Sequence, residues 1–181
     1  MPALDMREAE FKRTHIAFLQ PTSVTVESGA TVDLVCENAV AAGIAARLAA
    51  GIIKCSAGQV FVADFDPKIQ PVQVKRLVGF LPSARPNNPF CPDDYFAYRA
   101  ALWGLDRSEA IAKGRNLLKT LDDLRVDEAA LLAGVFLHDP VLLILERPGA
   151  GLREGTQALI DLGAQHAPRA ALFVTTFGGP S

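Results

Sequence analysis

Apolar and polar residues alternate in patches from residue 14 to residue 35, first in HIAFLQ and then in SVTVESGATVDLV, with Gly29 marking a turn between them. A period of two predicts two or three strands, the last of them buried. From Val40 to Ala50 the period changes: Ala, Ile and Leu recur at helical spacing and Gly51 supplies a stop. Beyond it, SAGQVFVAD (56–64) reads as a turn and a strand, and VQVKRLVGFLP (72–82) as a short helix running into a strand before Pro82.

The stretch SARPNNPFCPDD (83–94) is dense in Pro, Asn and Asp and predicts irregular chain. Two helical patterns follow, DYFAYRAALWGL and SEAIAKGRNLLKTLDDL, with Asp106 and Ser108 as candidate caps between them. A helix at 127–137 leads to VLLILE (141–146), and a last helix near 155–164 leads to AALFVTT (170–176). Both of those strands are unbroken apolar runs, the signature of a sheet covered on both faces. Strands alternating with helices predict an α/β fold with a mainly parallel sheet, preceded by an antiparallel β part.

The length of 181 residues fits one domain, residues 1–181, with an inserted helical subdomain at about 83–130. A formal net charge of −2 and scattered basic residues give no electrostatic footprint for nucleic acid. The N-terminus, MPALDMREAEFKRTH, is charged and lacks a signal's apolar core, so a cytoplasmic location is expected. Cys36, Cys55 and Cys91, odd in number and far apart, predict buried or free thiols rather than disulfides or a metal site. The apolar run Ala39 to Ile53 is broken by Arg47 and is shorter than the ~20 residues that span a bilayer, which predicts a buried helix.

Several fragments then fall into a known order. ESGATVDLVCENAVAAGIAARLAAGIIKCSAGQVFV, VKRLVGFLP, FLHDPVLLILERPGAGL and LFVTTF resemble successive landmarks of the ATP-binding cassette (ABC) ATPase family, from about Thr22 to Phe177. The resemblance implies a P-loop NTPase-like fold. It places the phosphate loop at Cys36–Gly43, with Asn38, Ala41, Ala42 and Gly43 as the positions nearest a nucleotide.

Measured against that family, the groups that carry the chemistry are absent. In GxxxxGK[ST] the glycines let the backbone wrap phosphates, Lys neutralises them and the hydroxyl ligates magnesium. Here Ala42 stands at the Lys position and Gly43 at the hydroxyl position, while Cys36, Ala39 and Ala41 replace glycines and Glu37 adds negative charge. The following helix N-terminus still offers N–H groups to an anion. VLLILE ends in Glu146 and Arg147 where the family has a magnesium-binding Asp and a water-polarising Glu. Glu146 is a weak metal candidate, and a guanidinium, which holds its protons, cannot act as a base. Phe177 replaces the switch histidine and is expected to be a packing residue; Ser83 replaces the Gln or Glu that reaches the metal and is expected to cap a loop. No LSGGQ counterpart lies between Leu121 and Glu128, and Arg153 replaces the Asp at the subunit junction.

The resemblance with these losses implies a non-catalytic subunit that requires no cofactor and has no catalytic residue. Its expected partner is an ABC ATPase paralogue, a membrane permease or both, with the membrane reached only through the partner. Phe90, Tyr95, Phe96, Tyr98 and Trp103 in the helical segment fit either a docking surface or that segment's own core. Two alternatives stay open: a regulatory subunit that binds ATP and magnesium without turnover, and a weak ATPase in a composite site.

Overall fold

The computed structural model describes residues 1–84, 91–163 and 169–177. Its first element corrects the sequence reading: the charged N-terminus is strand β1 (Pro2–Arg13). It lies between β2 (Ile16–Glu27) and β4 (Ala57–Val62) in an antiparallel sheet of order β2-β1-β4. Leu4 stands opposite Val26 and Val62, and Met6 opposite Val24 and Val60. The period of two breaks between Met6 and Ala9, where the register shifts and Glu8 takes a φ of 46°. Gly58 permits this bulge, because with φ 78° a Cβ there would lie 2.1 Å from the Glu8 carbonyl oxygen.

The second sheet is parallel, in the order β3-β7-β6-β5, built from β3 (Thr31–Cys36), β5 (Val78–Leu81), β6 (Leu142–Glu146) and β7 (Ala170–Thr176). Helix α1 (Ala39–Ala49) packs between the two sheets. Ala42, Ala45, Ala46, Leu48 and Ala49 are fully buried, in one apolar cluster with Leu4, Val62, Ile144 and Val174. Alanines suit this position because a helix held between two layers needs close approach on both sides.

Alternate residues of β6 and β7 serve opposite cores. Leu142, Ile144, Leu172 and Val174 join the α1 cluster; Leu143, Leu145, Ala171 and Phe173 join a second cluster with α5 (Val126–Phe136) and α6 (Ala150–Gly163). That division explains why both strands read as unbroken apolar runs. Each Leu, Ile, Val or Phe among them contributes roughly 1.5–3 kcal/mol when taken from water.

The short helix α2 (Pro71–Leu77) runs directly into β5, as the pattern predicts. Helix α3 (Pro92–Trp103) begins inside the stretch expected to be irregular, of which residues 85–90, including Phe90, lie outside the described residues. Gly104, with φ 64°, ends it, and Asp106 rather than Ser108 caps α4 (Arg107–Leu118), its carboxylate accepting from the Glu109 amide at 2.9 Å. Helix α6 starts at Ala150, five residues earlier than expected, with the Arg153 amide donating to the Gly149 carbonyl. Among the described residues no helix is long and apolar enough to cross a membrane.

Candidate functional site

Only Glu37 and Asn38 separate the end of β3 from the start of α1. Asn38 is extended and turns its side chain back over the helix: Oδ1 accepts from the Val40 amide at 3.0 Å and the Ala41 amide at 2.9 Å, while its backbone carbonyl accepts from the Ala42 amide at 3.0 Å. Helix N-termini leave their first amides without partners, and here the cap engages two of them. Ala41 and Ala42, the next two candidate positions, are core residues, 6% and 0% exposed. Burial foremost, and then the Glu37 carboxylate, push the neighbouring Cys36 thiol above its usual range. A cleft of about 270 Å³ opens beside this turn, with Phe18, Gln20 and Thr22 of β2 facing Glu37 and Asn38, and among the described residues no Lys or Arg lines it.

Gly43, the fourth candidate, belongs to a separate cluster. Glu146 is buried at the end of β6, 7% exposed, and its Oε1 accepts from the Ser83 hydroxyl at 2.9 Å. Its Oε2 lies 3.2 Å from Arg47 Nη1, an ionic contact without an aligned hydrogen bond. The same Arg47 nitrogen donates to the Gly43 carbonyl at 2.7 Å, and the guanidinium carbon sits 6.0 Å from the Phe80 ring centroid. Three positions that the family resemblance assigns to metal binding, 43, 83 and 146, are thus brought together around a fourth residue. Sequence reasoning missed Arg47, taking it only as an interruption of an apolar run. The signal was its i+4 spacing from Gly43, which places both on one face of α1.

Two expectations need correction here. Ser83 holds the Glu146 carboxylate rather than capping a loop. Phe177 is 75% exposed and does not pack. Arg147 is exposed with φ 50°, its amide donating to the Val174 carbonyl at 2.7 Å. Arg153 faces the parallel sheet, paired with Asp33 of β3 at 2.6 Å and stacked 4.3 Å from the Phe173 ring centroid. In the helical segment Phe96 is fully buried, Tyr95 and Trp103 are partly buried and Tyr98 is exposed. Phe96 packs on Gly114 within the segment, whereas Tyr95 and Trp103 turn toward Gly134 and His138 beyond it.

An antiparallel sheet and a parallel sheet enclosing one helix, with further helices beyond, is the fold of ABC ATPase domains. No family model matches the chain. Among curated proteins it is similar to the ABC transporter ATP-binding protein NatA of Bacillus subtilis (strain 168), 25% identical over 160 residues, covering 81% of this chain and 65% of that protein. It thus spans about two thirds of that relative's length. An ATP-binding subunit of an ABC transporter superposes with a TM-score of 0.75 at 16% identity, over 96% of this chain and 79% of the other. CbiO1 from Clostridium perfringens, part of the ABC transporter complex CbiONQ, gives 0.73 at 15% identity, over 96% and 78%. The chain is thus similar to NatA in sequence and to ABC transporter ATP-binding subunits in fold.

Proposed function

We propose that this chain is an ABC-type subunit that does not hydrolyse ATP and acts as an interaction or regulatory partner of a catalytic ABC ATPase, a membrane permease or both. The observation that carries the reading is the Asn38 cap. Its carboxamide engages the Val40 and Ala41 amides, the donors a phosphate would need, and Glu37 stands beside them. With Ala42 at the family's Lys position, no side chain of this turn brings positive charge. Magnesium triphosphate fits these residues poorly, and Arg147 leaves the strand end without a base. The likeness to NatA and to CbiO1, the latter part of a multi-subunit transporter, supports a partner of the same kind.

Calorimetry with ATP and magnesium tests the first half: no heat at millimolar nucleotide is expected, and turnover by the isolated chain overturns the reading. Co-purification with an ATPase or permease from its own cell tests the second half, and a clean monomer counts against it. The cleft beside β2 favours one other reading, a regulatory subunit that holds ATP without turnover. Saturable heat without hydrolysis is its signature.

A further inference from the structure

We propose that the Arg47 guanidinium is a built-in cation that takes the place of a divalent metal between Gly43, Ser83 and Glu146, and joins α1 to β6 without any metal. A buried carboxylate needs positive charge or hydrogen-bond donors close by. Glu146 receives one donor from Ser83 and its charge partner from Arg47, which reaches across from α1 and is anchored on the Gly43 carbonyl. Among the described residues no group of three or more His, Cys, Asp or Glu could hold a metal here.

Gly43 makes the arrangement possible. A Cβ at that position would lie 2.8 Å from Arg47 Nη1 and 3.0 Å from Glu146 Oε1. A Ser or Thr at 43, which would supply a metal-ligating hydroxyl, therefore competes with the guanidinium for the same space. The glycine leaves the guanidinium room in its present place, and losing the arginine leaves the Glu146 carboxylate without its cation. This inference deepens the reading of this face as non-catalytic and rests on it, but it concerns metal and not nucleotide.

The test is made without nucleotide, using Mn2+ as the probe and comparing the wild type with Gly43→Ser/Arg47→Ala and with that pair plus Glu146→Gln. Two hydroxyls and a carboxylate make an oxygen site suited to Mn2+. In 1 mM Mn2+ the thermal midpoint of the double variant should rise by about 3 °C or more, with matching loss of the free-ion electron paramagnetic resonance signal. The wild type and the triple variant should not respond. If the double variant is unfolded without metal, recovery of its native circular dichroism by Mn2+ is the same readout. Mn2+ binding by the wild type through Glu146, or no response of the double variant, overturns the proposal. Either result leaves the ATP calorimetry to decide the non-catalytic reading separately.

Discussion

The indole of Trp103 lies flat against the imidazole of His138, ring centroids 4.1 Å apart and planes 13° from parallel. The Nε2–H of His138 donates to the Val78 carbonyl at 3.0 Å, and its buried Nδ1 has no hydrogen-bond partner among the described residues. Burial foremost lowers the imidazole pKa; the Val78 carbonyl and Asp139 oppose this, and Arg99 and Lys113 add to it. Because the folded value lies below the unfolded one, the unfolded chain takes the proton first. Stability is full above the unfolded value of about 6.5 and is lost as pH falls through it toward the folded value. Urea midpoints at pH 7.5 and 5.5 should therefore differ more for the wild type than for His138→Phe. Equal differences would remove His138 as a source of acid sensitivity.

Phe96 and Gly114 set the spacing of α3 and α4. A Cβ on Gly114 would lie 2.3 Å from the Phe96 ring, which is fully buried and cannot swing into solvent. Gly114→Ala is expected to cost about 1–3 kcal/mol by overpacking. For a chain of this size that lowers the thermal midpoint by roughly 2–12 °C. Adding Phe96→Leu should recover part of the loss, and an unchanged midpoint in the single variant would contradict the contact.

Asn38→Ala removes the acceptor of two α1 amides and should cost about 1 kcal/mol, seen as a fall of roughly 2–4 °C in thermal midpoint. Asn38→Asp retains the acceptor and should restore the wild-type midpoint. The pair of variants separates capping from any general sensitivity of the turn.

Arg153 makes two contacts of different kinds, an exposed ion pair with Asp33 and a stack on Phe173. Exposed pairs contribute about 0–1 kcal/mol and weaken in salt; a cation over an aromatic face adds about 0.5–1 kcal/mol. Asp33→Asn should thus lose its effect on the urea midpoint in 1 M NaCl, while Arg153→Ala keeps roughly half of its own. Equal salt sensitivity in both variants would show that the stack contributes nothing.

The parallel sheet and its helices were legible in the sequence because VLLIL and AALFV are unbroken apolar runs and α1 repeats its small residues at helical spacing. Strand β1 was not, since the bulge at Glu8 interrupts the alternation and charged residues fill its exposed positions. The β3–α1 turn was placed by the order of family landmarks, but Asn38 as its cap emerged only with backbone geometry. The Arg47, Ser83 and Glu146 cluster draws on residues from three distant parts of the chain, and no local pattern records that juxtaposition. Phe177 shows the converse, an apolar residue whose chemistry suggested packing and whose position exposes it.

The fit of Arg47 into the space above Gly43 also constrains how this sequence can change. A hydroxyl side chain at 43 crowds only the flexible end of Arg47, whereas losing the guanidinium strands a buried carboxylate. A step that removes Arg47 before another cation is in place therefore passes through a less stable protein. Of the two changes that a metal site needs, the one at 47 is the harder to make first.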